Sequence, residues 1–375
     1  SAGVGRSGTF IVIDCMLARI QSEQTIDIYN YVRYLRTRRM FMVQTEEQYV
    51  FCHDALLESI LCGNTQMAAH NLRIEMNRLR QKDATTKMTG FESEFKILDK
   101  VSPSLPKESF VVASYPQNAS KNRYNDILAS DHGRVMLGDD DDSDEGPYIN
   151  AVYVDGYKQQ NAFILTQAPL KETIKDLWQM LYEKRSACVL LLTDLTAEEG
   201  DFPQFWPGEG SEEYDKYLVE LVSDVSTGDT GSEDQFQQEK LSEEIVERKF
   251  RLTKAEDKPL VVKMFHQLSW PETSVPTDIS AIISLIQRIE KWQQRSGNGP
   301  ITVICNDGQG RSGTFAALCS VLERVKTEQV VDVFQTIKAL RIQRPGIVKH
   351  VDQYQFIHFG VQEYLDSFSD YANFK

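Results

Sequence analysis

Four short apolar runs mark the second half of the chain. Residues 162–166, 187–193, 261–266 and 301–305 are rich in Val, Ile, Leu and Phe and are too short for helices. Runs of this length suit buried strands. Between and after them, residues 171–184, 279–294 and 312–327 place apolar side chains every three or four positions, the period of a helix with one buried stripe. The alternation predicts an α/β (α+β) fold, a central twisted mixed β-sheet flanked by helices on both faces. Upstream, Leu72, Ile74, Met76 and Leu79 predict an amphipathic linking helix in an otherwise polar stretch, and residues 92–98 predict a second helix.

The chain also repeats itself. At a constant offset of 305, without a gap, residues 1–60 match residues 306–365 at about a third of positions. Arg6-Ser7-Gly8-Thr9-Phe10 returns as Arg311-Ser312-Gly313-Thr314-Phe315, Val43 as Val348, and Gln48-Tyr49 as Gln353-Tyr354. Such a period is the size of a domain, far beyond that of a solenoid repeat. The end of one domain therefore occurs twice. The expected division is a C-terminal remnant of a first domain at 1–62, a helical linker at 63–89, a complete second domain at 90–366 and a tail at 367–375. The first residue is Ser, so the chain reads as a fragment of a longer protein. Residues 139–145 are almost wholly acidic and read as a solvated hairpin tip, with a phosphorylation or partner role for Ser143 as the alternative. Residues 224–244 read as a second polar insertion, and the tail as loosely packed or disordered.

Composition narrows the function. Hydrophobic residues make up 41% and charged residues 26%, and no run approaches the roughly 18 apolar residues of a spanning helix. A net charge of -14 argues against an extended nucleic-acid face and against binding to anionic lipid. An anionic ligand must then be drawn by a local positive pocket. The six cysteines form no CxxC pair, which points to reduced thiols instead of a disulfide framework or a zinc site.

One segment supplies such a pocket. Residues 301–305 end in Cys305, followed by Asn306, Asp307, Gly308, Gln309 and Gly310, then Arg311 and Ser312 at the start of a predicted helix. Five residues between Cys305 and Arg311 can wrap a cradle whose backbone N–H groups converge on one anion, with the helix N-terminus adding partial positive charge. The same field is expected to favour the Cys305 thiolate as a nucleophile. Arg311 offers a planar fork for two phosphoryl oxygens, and Ser312 a hydroxyl that can donate to the sulfur. A buried structural cysteine beside a glycine turn is the bland alternative. The strand-turn-helix context and the repeated Gly-x-Gly-Arg-Ser-Gly-Thr-Phe weigh against it.

With these residues in view, both copies resemble the signature loop of the protein tyrosine phosphatases, and the resemblance extends over essentially the whole chain. Lys121-Asn122-Arg123-Tyr124-Asn125-Asp126 is similar to that family's phosphotyrosine-recognition loop. Tyr148-Ile149-Asn150-Ala151, Thr166-Gln167-Ala168-Pro169-Leu170, Gln204-Phe205-Trp206-Pro207, Trp270-Pro271-Glu272 and Gln353-Tyr354 match further landmarks in order. The resemblance implies the cysteine-dependent phosphatase fold, with Cys305 attacking phosphorus, Arg311 and the loop 306–310 holding the phosphoryl group, and Ser312 assisting the sulfur. It implies Glu272 as general acid, Tyr124 as the wall of an aromatic slot, and Asp126 as a contact to the substrate backbone. Gln353 and position 349 belong to the water-orienting part of the site. No metal or cofactor is implied. In the first copy Ser1, Ala2, Gly3, Val4 and Gly5 correspond to the loop, and Arg6 and Gln44 are of active type, but no nucleophile precedes them in this sequence.

Departures from the pattern matter as much. Glu272 stands where active members carry Asp, and the extra methylene displaces the carboxyl by about 1 Å, a misplacement that can cost on the order of a hundredfold in rate. Ser274 replaces a glycine of that loop, Ile304 a histidine before the nucleophile, and Lys349 the glutamine that the first copy retains at Gln44. Asp307 puts a carboxylate in the cradle, where it repels phosphate and raises the thiol pKa. Two readings follow: a phosphatase whose second domain turns over slowly and serves regulation, or an inactive domain that binds phosphotyrosine, contacts a neighbour or senses oxidants. The Tyr124 loop argues against lipid or dual-specificity chemistry, and the lack of a Gly-Lys-Ser/Thr ending excludes a P-loop nucleotide site. The tandem arrangement is similar to receptor-type members. It implies phosphotyrosine proteins and the first phosphatase domain of the same chain as partners, and a homodimer is left open. Nucleic acid is not expected, and the membrane enters only through an upstream span, which places these residues on the cytoplasmic side of the plasma membrane.

Overall fold

In a computed structural model the described residues are 3–138, 147–193, 202–226, 245–255 and 257–373. The acidic stretch 139–145 with Ser143, most of 224–244, and Ser1 and Ala2 lie outside them. Two compact units form, Ser1–Thr65 with Lys96–Val101, and Gln66–Phe95 with Ser102–Lys375.

In the first unit three helices, α1 (Gly5–Glu23), α2 (Ile28–Arg38) and α3 (Glu46–Cys62), enclose a small core of Val12, Met16, Ile28, Val32, Val43, Cys52 and Leu56. Asp27 starts α2 by accepting from the Asn30 N–H, and Thr45 with Gln48 forms a reciprocal capping box on α3. The second unit repeats part of this construction: Asp332 accepts from the Gln335 N–H as Asp27 does from that of Asn30. Arg36 donates to the Met42 and Val43 carbonyls at 3.0 and 2.7 Å, and Arg341 donates to those of Ile347 and Val348 at 2.9 and 2.7 Å. Both valines take φ +57°, a strained setting for a β-branched residue, immediately before Gln44 and Lys349. The repeat read in the sequence is therefore a repeat of hydrogen bonds. Burial differs between the copies: Phe10 is 69% exposed where Phe315 is fully buried, and Phe51 is 57% exposed where Phe356 is 1% exposed.

The second unit begins with strand β1 (Met67–Ala68), helix α4 (Leu72–Leu79) and helix α5 (Gly90–Val101), which continues past the unit's edge. Leu72, Met76 and Leu79 are buried, but Ile74 points to solvent, since two residues turn a helix by about 200° and carry it off the stripe. After the short helix α6 (Pro116–Ala119), the chain lays down strands β2 (Ala151–Val154) and β3 (Phe163–Gln167), helix α7 (Ile174–Glu183) and strand β4 (Cys188–Leu191). Strands β5 (Ser211–Tyr214), β6 (Tyr217–Ser226), β7 (Ile245–Lys254) and β8 (Leu260–Gln267) follow, then helix α8 (Ile279–Ser296), strand β9 (Ile301–Cys305) and helix α9 (Gly310–Glu328). Strand β10 (Val330–Val331), helix α10 (Val333–Gln343) and helix α11 (Val351–Asn373) complete the chain. The backbone expected to be a loose tail thus continues α11.

Among the described residues the main sheet runs β2-β3-β9-β4-β8-β7-β6-β5, parallel through β3, β9, β4 and β8 and antiparallel elsewhere. It is a mixed sheet with helices on both faces, as expected. Leu177, Trp178 and Leu181 of α7 pack on one face with Ile164, Val189, Leu191 and Ile304. Helices α8 and α9 contact the same strands and contribute nothing to that cluster, so they cover the other face. The four apolar runs are the four parallel strands. Strand β7 was not legible, because Glu247, Arg248 and Arg251 interrupt it and pair with Lys263, Asp224 and Glu220. Residues 224–226, expected to open an insertion, belong to β6, where Asp224 holds Arg248. The helix expected over 171–184 opens with a 3-10 turn, Lys171–Thr173.

One core group gives this unit a pH signature. His358 is buried on α11 between the Phe91 and Tyr354 rings, and burial pushes its imidazole down to about 4 despite a bond to the Tyr354 carbonyl. An unfolded histidine titrates near 6.5, so the folded state is disfavoured as pH falls from about 6.5 toward 4. The loss is on the order of 2–3 kcal/mol over that window. Urea unfolding of His358→Gln is expected to be weaker at pH 7 but flatter between pH 6.5 and 4.5, and a slope equal to the parent's would remove His358 as the cause.

Candidate active site

The cup forms where β9 feeds α9. Cys305 closes the strand, and its carbonyl accepts from the Ala168 N–H at 2.7 Å, which fixes the point from which the loop departs. Gly308 takes φ +66°, and a Cβ there would lie 2.7 Å from the Thr166 carbonyl carbon, so only glycine fits the turn. Gly310, Arg311 and Ser312 form the first turn of α9, and the Ser312 N–H bonds the Cys305 sulfur. Behind the loop, the wholly buried Arg344 donates to the Leu128 carbonyl and Asn150 Oδ1 at 3.0 and 3.2 Å and more weakly to the Asp307 carbonyl at 3.4 Å. The sequence reading missed Arg344, although its repeat partner Arg39 stands 305 positions earlier. Gln309 is tied down through its amide to the Pro345 carbonyl, and the Oδ1 of buried Asn306 has no hydrogen-bond partner among the described residues.

The charges inside the cup do not follow the simple expectation. Burial pushes the Cys305 thiol up, and the Asp307 carboxylate pushes it further, against the opposing pull of Arg311 and a 3.2 Å contact with Ser312. The field expected to favour the thiolate is thus opposed, and the Cys305 sulfur lies 3.2 Å from Asp307 Oδ1. Burial alone would raise Asp307 as well. Lys349, whose Nζ lies 2.6 Å from Oδ2, and the N–H groups of Gln309 and Gly310 outweigh it and hold the carboxyl at about 2. The backbone of Lys349 is fixed by donating to Gln353 Oε1 at 2.8 Å, as Gln44 donates to Gln48 in the first copy.

The other expected residues surround the cup unequally. Tyr124 is half-buried; burial, then the charges of Glu272 and Asp307, raise its phenol, so it lies within electrostatic reach of both carboxylates. Its loop is held by Gln167, which accepts from the Arg123 N–H and donates to the Lys121 carbonyl. Asp126 is exposed on that loop, and Glu272 and Ser274 are exposed on theirs. Arg311 is buried and donates from Nη1 to the Trp270 carbonyl at 3.0 Å, so one corner of its fork ties down the loop carrying Glu272. In the first unit a Cβ at Gly5 would meet Gln48 and Gln44, the counterparts of Gln353 and Lys349, while Gly3 faces Arg39. Arg6 and Val4 sit at the start of α1 as Arg311 and Gln309 do at α9.

The family described as protein-tyrosine phosphatase matches residues 1–58 and 118–363. Human receptor-type tyrosine-protein phosphatase alpha is 40% identical over 378 residues, covering 100% of this chain and 45% of that protein. Rat receptor-type tyrosine-protein phosphatase epsilon is 41% identical over 382 residues, covering 100% of this chain and 52% of that protein. Tyrosine-protein phosphatase Lar of Drosophila melanogaster is 41% identical over 377 residues, covering 100% of this chain and 18% of that protein. The chain thus spans about half or less of the length of these relatives.

The support behind the loop is testable. Arg344→Met strands the Asn150 side chain and the Leu128 and Asp307 carbonyls in a buried place, and should lower unfolding free energy by about 3–5 kcal/mol in urea titration. A loss under 1 kcal/mol would show that the loop stands without it.

Proposed function

This chain belongs to the protein-tyrosine phosphatase family, and we propose that its second domain, residues 90–366, hydrolyses phosphotyrosine slowly and serves mainly as a regulatory partner of the first domain. The observation that carries this reading is the conjunction of an intact cup with altered partners. Cys305, Arg311, Ser312 and Tyr124 are in place, while Glu272, Asp307 and Lys349 change the charges that drive each step.

In the proposed reaction the Cys305 thiol gives its proton to solvent water, and Sγ attacks phosphorus in line with the tyrosyl oxygen. The P–O bond breaks, Glu272 gives its proton to the leaving phenol, and Arg311 with the loop amides of 306–310 holds the three phosphoryl oxygens. Glu272, now a carboxylate, then takes a proton from water, whose oxygen attacks the cysteinyl phosphate; the S–P bond breaks and inorganic phosphate departs. Tyr124 forms the wall against which a phenyl ring stacks, a length requirement that phosphoserine does not meet. Asp126 holds the substrate's main chain, and Gln353 positions Lys349 where a glutamine would orient the water. The protonated state of Cys305 and the displaced acid of Glu272 both slow the first step, and Lys349 alters the second.

Residues 1–62 are assigned to the end of a first phosphatase domain, 63–89 to a linker and 367–375 to a tail. The open apolar positions at Phe10 and Phe51 support this, because their counterparts are covered by the body of the second domain. The likeness to receptor-type relatives supports a place on the cytoplasmic side of the plasma membrane and phosphotyrosine proteins as substrates. No helix among the described residues is long and apolar enough to cross a membrane. The net charge of -14 disfavours nucleic acid as a partner.

Steady-state hydrolysis of an aryl phosphate tests the reading. The parent is expected to be barely active, the double variant Glu272→Asp with Lys349→Gln at least tenfold faster, and Cys305→Ser inactive. Brisk turnover by the parent overturns the regulatory role. A double variant that stays inactive while still binding phosphopeptide favours the pure binding module.

A further inference from the structure

The two copies of the cup differ at a pair of positions that the second unit brings into contact. Where the first copy has Ala2 and Gln44, the second has Asp307 and Lys349, and these form an ion pair at 2.6 Å. The two changes therefore come together, as partners do. The Asp307 carboxylate also occupies a particular place. Its Oδ1 accepts from the backbone N–H of Gln309 at 2.9 Å and of Gly310 at 3.1 Å, and from the Cys305 thiol at 3.2 Å. Its Oδ2 faces Lys349. These are the groups that phosphoryl transfer to Cys305 requires: amides at the start of α9 for the oxygens, and a free sulfur for phosphorus.

We propose that Asp307 is an internal occupant of the anion cup, held over Cys305 by Lys349, so that a phosphate ester enters only by displacing it. This rests on the phosphatase reading above and names what regulates entry to that site. An aspartate capping the start of α9 accounts for the two amide bonds, but not for the contact with sulfur, the lysine clamp or the joint change from Ala2 and Gln44. The occupant also selects among ligands. A carboxylate or a halide brings no more charge than the side chain it must expel, whereas a phosphoryl dianion brings a second charge and a third oxygen for Arg311. Entry is thereby restricted to dianionic phosphoesters and their tetrahedral mimics. Release of the carboxylate also frees the thiol from its acceptor and frees Lys349 to face the incoming oxygens.

Tungstate binding to the full chain, measured by calorimetry, tests this, with Arg311→Met defining the heat that belongs to other sites. Asp307→Ala and Asp307→Ser empty the position; Asp307→Asn removes the charge but keeps an oxygen that can still accept from the two amides. The expected result is at least tenfold tighter binding in the two short variants and a smaller gain in Asp307→Asn. Circular dichroism checks that each variant is folded, and either short variant suffices if the other is not. Equal gains in all three would reduce Asp307 to a repelling charge and overturn the occupant. Unchanged affinity in the short variants, with tungstate still bound, overturns the proposal and leaves the cup intact. Failure of every variant to bind tungstate overturns the phosphatase reading and the proposal with it.

Discussion

The site depends on a loop whose backbone N–H groups point inward at one place, an arrangement that a free chain avoids because like dipoles crowd together. Three constraints enforce it here. The Cys305 carbonyl is locked to the neighbouring strand, Gly308 makes a turn closed to any side chain, and Arg344 donates outward to three acceptors from behind the loop. Neither the Cys305 carbonyl nor Arg344 touches a substrate in the proposed reaction. They are the reason a strand and a helix of ordinary composition end as an anion cup.

Once such a cup exists, its chemistry is set by the balance of charge within it. Burial works against both the thiolate and the Asp307 carboxylate, but only the carboxylate has a cation 2.6 Å away and two amides aligned on it. The balance therefore lowers the carboxylate's pKa and raises the thiol's. The first copy has Ala2 and Gln44 in the sequence positions of Asp307 and Lys349 and so lacks this pair of charges.

Much of this was legible beforehand, for reasons that can be traced to particular residues. Strands β3, β4 and β9 are buried on both faces and read as apolar runs, and β8 is buried over its second half. Strands β6 and β7 mix inward residues such as Phe250 and Leu252 with ion-paired ones, and their register is fixed by neighbours that no local pattern reveals. The cup was legible because its sequence occurs twice. Its electrostatics were only half legible: the helix N-terminus suggested a thiolate, and Asp307 suggested the reverse. Only the distances to Sγ, to the two amides and to Lys349 decide between them. Arg344 escaped notice because a lone arginine in a polar helix-to-turn segment is usually a surface residue, and its burial follows from tertiary packing.

The bond from Arg311 to the Trp270 carbonyl has a consequence of its own. A guanidinium is a flat, stiff plate, and here one corner is fastened to the segment bearing Glu272 while the Nε–Nη2 edge remains for a ligand. A rigid plate cannot tilt toward an arriving anion without dragging whatever is fastened to its far corner. In the proposed reaction, grip on the phosphoryl group and the placement of Glu272 are then mechanically one event, a linkage that an ammonium on a flexible stem, with no plate to tilt, has no means to transmit.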